Sequence, residues 1–181
     1  MRTNNYLSRP LVINYAHLFL LVLLTTVCLS ASGQNEKVER AALKLEIAAN
    51  ETDQYITDIP ASRYFVKEKI LQIYCGETLF VECEIQGDSI HKMQVVEKNL
   101  NPSKTIEINF SQSAEDRKNI RTNLSVRNPF EKKLSYQAFM FSPKSEQWVN
   151  TSIIPVLPKL VNYELWPHAI ISLVLVEWKL E

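Results

Sequence analysis

The sequence predicts an all-β sandwich of about eight or nine short strands. Three observations carry this. Leu79, Val81, Cys83 and Ile85 alternate with Phe80, Glu82, Glu84 and Gln86 at a period of two, the signature of a strand with one buried face. Turn residues recur roughly every ten positions from Tyr64 onward, the spacing of sandwiches and barrels. The run Ala169–Leu180 is apolar on both parities for most of its length, which suits a covered, central strand. Split by parity, Ile170, Ser172, Val174, Val176, Trp178 and Leu180 share one face, and Ile171, Leu173 and Leu175 the other.

The first residues have the build of a cleaved signal helix. Arg2 and Arg9 precede the apolar stretch Leu18–Val27, no acid occurs before Glu36, and Ala31-Ser32-Gly33 offers small residues for cleavage before Gln34. Asn14 and His17 keep the apolar core below the roughly 20 residues of a membrane span. The expected organisation is a signal peptide over 1–33, an N-terminal extension over 34–63, and a single sandwich domain over 64–181 with 43–48 added to it. The expected location is exported: periplasm, cell surface or extracellular. The membrane enters only through the transient leader.

Removing 33 residues from 181 leaves 148, enough for one ordinary core. Arg2 and Arg9 leave with the leader, so twenty acids face eighteen Lys plus Arg, a charge of about −2. That balance offers no basic face and excludes nucleic acid as an expected partner.

Taken in order, Val38, Ala41, Ala42 and Leu45 fit a helical face, while Leu43, Leu45 and Ile47 alternate as a strand. The expectation is a short helix or turn entering a strand at 43–48. Asn50–Arg63 is polar and ends in Ile59-Pro60, a loop signal. Ile70–Tyr74 reads as a strand. A hairpin around Gly76-Glu77 would place Cys75 roughly 16 Å from Cys83 at about 3.3 Å per residue. A disulfide needs Cα atoms within about 7 Å, so both thiols are expected free and buried. Gly87-Asp88-Ser89 is a turn. A three-residue loop sets Cys83 against Met93, Val81 against Val95 and Glu84 against Lys92, apolar on apolar and acid on base.

Ile106, Ile108 and Phe110 mark a strand, followed by an exposed connection over 111–118. Leu124 and Val126 mark another, stopped at Asn128-Pro129. Leu134, Tyr136, Ala138 and Met140 alternate with polar and aromatic neighbours and end at Ser142-Pro143. Ser152–Leu157, holding Pro155, belongs at an edge, since proline lacks a ladder donor. Tyr163–His168 reads as a loop into the final strand.

Gly76-Glu77-Thr78-Leu79-Phe80-Val81-Glu82-Cys83 resembles the turn and second strand of immunoglobulin-like domains. Leu134-Ser135-Tyr136-Gln137-Ala138 resembles their tyrosine-corner strand. Ala138 holds the place of the second cysteine, and 89–97 has no tryptophan, so the usual inter-sheet disulfide and core Trp are not expected there. Leu124–Phe130 followed by Leu134-Ser135-Tyr136 is similar to strand, Asn-turn, strand units of small exported bacterial β-sandwich proteins. These include immunoglobulin-like domains of the intracellular proteinase-inhibitor type. The segment Trp148–His168 is similar to part of a family of small secreted proteins with no assigned activity. The resemblance implies an immunoglobulin-like fold and export, and it carries over no catalytic residue.

Chemistry-bearing patterns are sparse. His91 and His168 stand in no HExxH or paired spacing, and two mature glycines cannot build a phosphate loop. No catalytic residue, cofactor or metal site is expected. The functional lead is a set of residues near the C-terminus, Trp148, Tyr163, Trp166 and His168, read as lying in loops or at loop edges. Aromatics exposed there suggest a binding surface. The expected function is an exported, non-enzymatic binding or structural module whose partner is an unidentified protein or envelope component. A secreted immunoglobulin-like peptidase inhibitor presenting the loop 143–152 is the alternative, and a hydrolase the third reading.

Overall fold

Twelve strands arise where apolar residues alternate. They are β1 (Leu43–Ala48), β2 (Gln54–Ile59), β3 (Phe65–Lys67), β4 (Ile70–Tyr74), β5 (Thr78–Gln86) and β6 (Ser89–Val96). Then follow β7 (Thr105–Ser113), β8 (Arg121–Arg127), β9 (Leu134–Phe141), β10 (Val149–Thr151), β11 (Val161–Trp166) and β12 (Ser172–Leu180). The computed structural model describes residues 38–145 and 147–181, all within the compact unit Asn35–Glu181. The expected signal peptide, 1–33, lies outside the described residues.

Two five-stranded antiparallel sheets build a β-sandwich. The first runs β10-β9-β12-β4-β3 and the second β11-β8-β7-β5-β6, with β1-β2 as a separate ribbon. Leu71, Ile73, Leu134, Ala138, Leu173 and Leu175 of the first sheet share one core with Val81, Ile106, Ile108, Phe110, Leu124 and Val126 of the second. All are essentially inaccessible to solvent, because successive side chains on a strand point to opposite faces.

The run 169–180 is central as expected, with β12 between β9 and β4. Its second face is less covered than expected: Val174 and Val176 are half-buried. A bulge between Val176 and Lys179 breaks the parity. Glu177 sits there at φ 55°, a conformation costing a non-glycine residue about 1–2 kcal/mol. The bulge turns Trp178 into the core, where it stacks on Tyr136 at 4.8 Å between centroids. The core tryptophan therefore comes from the last strand. The Tyr136 hydroxyl has no hydrogen-bond partner among the described residues, unlike the bonded hydroxyl of a tyrosine corner.

Several expectations change. Residues 38–42 form no helix, and Arg40 forms a bridge with Ser62. Within 50–63, residues 54–59 form β2; its outer positions are polar or exposed, so its apolar signal is weak. No hairpin forms around Gly76-Glu77, because β4 and β5 lie in different sheets. The turn crosses between layers, with Gly76 at φ 98°. Cys75 and Cys83 are free and buried, separated by the crossover instead of by hairpin register. The β5-β6 pairs Val81–Val95, Cys83–Met93 and Glu84–Lys92 all form. The loop has two residues, Gly87-Asp88, and a bulge at His91 supplies the third. One extra residue in a strand shifts the register as one extra loop residue would.

The first edge strand after Pro143 is β10, three residues upstream of the expected 152–157. Only Val156 of that stretch bridges to the sheet, opposite Leu134. Of the expected loop 163–168, residues 163–166 belong to β11, which begins at Val161.

The segment around Arg40 is fastened from within. Its Nε donates to Glu77 Oε1 at 2.7 Å and its Nη2 to Glu77 Oε2 at 3.1 Å and to the Gln72 carbonyl at 2.7 Å. Nη1 donates to Ser62 Oγ at 3.1 Å. The guanidinium lies 4.5 Å and 4.8 Å from the ring centroids of Tyr64 and Tyr74, within cation–π range.

Candidate functional site

β11 ends the second sheet, with β8 on one side and no strand on the other. Its even positions serve the fold. Asn162 Nδ2 donates to the Ile154 carbonyl, and Glu164 Oε1 accepts from the Ile154 amide at 2.9 Å. Trp166 is half-buried, and its Nε1 donates to Thr151 Oγ1 on β10 at 2.9 Å. These bonds tie β11 to the 152–160 strap and to the edge of the other sheet. Its odd positions face outward: Tyr163 is 68% exposed and Leu165 63%.

The four predicted residues do not form one site. Tyr163 and Trp166 belong to a strand and point to opposite faces of it. Trp148, just before β10, is exposed and tilts against Phe141 at 5.4 Å. His168 follows β11 and is half-buried, and its carbonyl accepts the Thr122 hydroxyl at 2.7 Å.

Two concavities accompany them. A cavity of about 450 Å³ at one end of the strands is lined by Glu51, Arg117, Lys118, Pro143, Lys144 and His168, among others. Lys118 approaches Glu51 at 3.8 Å, both well exposed, so solvent screens the pair. A smaller groove of about 290 Å³ runs beside Tyr163 over Phe80, Asn109 and Ser125. There Arg127 Nε bonds Glu107 Oε2 at 3.1 Å.

The thiols offer no nucleophile at neutral pH. Burial pushes Cys75 up to about 12, against a smaller lowering by its bond to Gly76. Burial pushes Cys83 up to about 12 as well, with the Glu82 charge adding to the shift. Thiolates, not thiols, attack. Among the described residues no group of three His, Cys, Asp or Glu is placed to hold a metal ion, and no helix is long and apolar enough to cross a membrane.

Sequence reasoning missed Ile154, Leu157, Leu160 and Leu165. Each is more than half exposed, and with Tyr163 they fall within residues 154–165. A signal for them existed: apolar residues scattered among two prolines cannot all enter a ladder.

No protein-family model, no curated protein and no solved structure matches this chain.

Proposed function

We propose that the protein is an exported, non-enzymatic binding module of the periplasm or cell surface, and that it binds through the apolar surface around β11. One observation carries the reading. Ile154, Leu157, Leu160, Tyr163 and Leu165 are all more than half exposed within twelve residues of chain. Scattered apolar residues on a surface are ordinary, but a concentration of them marks an interaction site. The partner class is a protein or envelope component. Export is supported by the leader residues Arg2 to Gly33.

Two antiparallel sheets joined by crossovers support an immunoglobulin-like sandwich, and the likeness of Leu124–Tyr136 to small exported bacterial proteins rests on the residues alone. The position of β12 inside its sheet differs from the constant-type order, where the last strand lies at an edge.

A photo-crosslinking residue replacing Leu165 tests the binding surface. It should trap one component of the cell envelope, and a crosslinker at Lys92 should not. Equal trapping from both positions would remove the reading. The second reading, a peptidase inhibitor, is favoured by exposed Trp148 and Val149. Since β10 takes up 149–151, its loop shortens to 142–148. Inhibition of a peptidase panel, lost on Trp148→Ala, would establish it in place of the first.

A further inference from the structure

We propose that β11 is a self-pairing edge, so that two copies of the chain meet antiparallel along it and join their second sheets into one. This rests on reading the surface around β11 as an interaction surface.

The four edges of the two five-stranded sheets are not equivalent. β3 and β10 have three residues each, and the β3-β4 register breaks between Phe65 and Lys67. β6 carries exposed His91 and Lys92 and a bulge. Short strands, charges and bulges are the devices that keep edges from pairing. β11 carries a single charge, Glu164, and neither of the other two devices. It runs six residues in unbroken register with β8 and contains no Lys, Arg or Pro. The 152–160 strap does not occupy its outer backbone. Among the described residues, backbone bonds of the strap go to Leu134, Phe130, Asn128 and within itself, and none reaches 161–166. The strap's contacts with β11 run through the Asn162 and Glu164 side chains.

Of the three registers centred within Asn162–Glu164, one makes the strand complementary to itself. A two-fold axis perpendicular to the sheet keeps each residue on its own face, so it must pass through a residue, since a one-residue slip would mismatch the faces. Centred on Glu164, the register sets two carboxylates directly opposite, which is destabilising. Centred on Asn162, it sets Leu160 against Glu164. Centred on Tyr163, it sets Tyr163 against Tyr163 of the second copy, Asn162 against Glu164, Val161 against Leu165, and Leu160 against Trp166. Every pair then matches in character, with an aromatic pair on the axis.

A whole aromatic side chain buries about 150–250 Å², and of the five exposed apolar residues only Tyr163 is aromatic, so pairing along β11 buries less than the roughly 800 Å² per partner of a standard interface and belongs among weak associations.

Analytical ultracentrifugation of the purified secreted protein, from micromolar to near-millimolar, tests the association. The mass should double with concentration. Leu165→Lys, at an exposed position, should weaken association at least tenfold while melting as the parent does. Cysteine scanning tests the register. Oxidised Tyr163→Cys should give a disulfide-linked dimer, because a residue on the axis faces itself within disulfide reach. Leu165→Cys should not, because its own copy lies about 13 Å away at roughly 3.3 Å per residue. A parent that stays monomeric throughout, a dimer that survives Leu165→Lys, or equal oxidation at both positions overturns the proposal. If the parent is monomeric and the envelope crosslink from position 165 still forms, self-pairing falls and the interaction-surface reading stands. If neither occurs, both fall.

Discussion

Replacing Glu77 by Gln removes one charge from the most enclosed ion pair among the described residues. The Arg40 side chain is 1% exposed and that of Glu77 11%. The two make a bidentate contact at 2.7 and 3.1 Å, and Glu77 Oε2 also accepts from the Tyr74 amide at 2.7 Å. Gln preserves volume and can still accept that amide. The same oxygen position accepts from Arg40 Nη2, so what is lost is the carboxylate charge and the acceptor for Nε, leaving an enclosed guanidinium with only neutral partners. Breaking one side of a buried pair costs about 3–5 kcal/mol, from a total of about 5–15 kcal/mol. Urea unfolding followed by tryptophan fluorescence should show the midpoint falling by about a fifth or more with the slope unchanged. The double replacement Arg40→Met with Glu77→Leu should lose less than Glu77→Gln alone, because it leaves no orphaned charge. A Glu77→Gln variant losing under about 1 kcal/mol, the size of an exposed pair, would refute the picture of Arg40 as the fastening of the N-terminal segment.

Leu175→Ala should cost about 2–5 kcal/mol, as for a fully enclosed leucine, and Val174→Ala on the half-buried face clearly less; equal losses by urea unfolding would mean the faces of β12 are misassigned. Cys75 and Cys83 should resist a thiol reagent in the native protein at pH 8, about four pH units below their pKa of about 12. They should release two equivalents on denaturation without reductant, and a single equivalent or none would contradict two free thiols. Mass spectrometry of the exported protein should show a chain beginning at Gln34; an intact Met1 or a lipid on Cys28 would remove the export reading.

Strands whose two faces meet different solvents were legible from the residues alone. Alternation over 79–86, 106–110, 124–126 and 134–140 marks them, since one face meets the core and the other water. The β5-β6 pairing was legible too, because a short loop leaves few registers and the Glu84–Lys92 match selects among them. β2 and β11 were not, because a ribbon or edge strand is wet on most sides and its pattern blurs into loop. Reading β11 as a loop also misplaced the candidate surface. Tyr163 stands exposed where Trp166, three residues on, is tied to Thr151, a distinction of strand face that a loop lacks.

Other features exist only in three dimensions. Gly76-Glu77 can close a hairpin or cross between layers with the same residues, and which strand lies beside β4 decides the outcome. Parity put Trp178 on the face of Val174, until one bulged residue, Glu177, turned it inward. Arg40 is surrounded by Ser62, Gln72 and Glu77, 22 to 37 positions along the chain, so nothing near it in sequence announces that it is buried. Local chemistry determines which residues extend and where they turn. Which extended segment becomes the neighbour of which is settled by the shared core, because burial of apolar area depends on total surface removed from water and carries no memory of order along the chain.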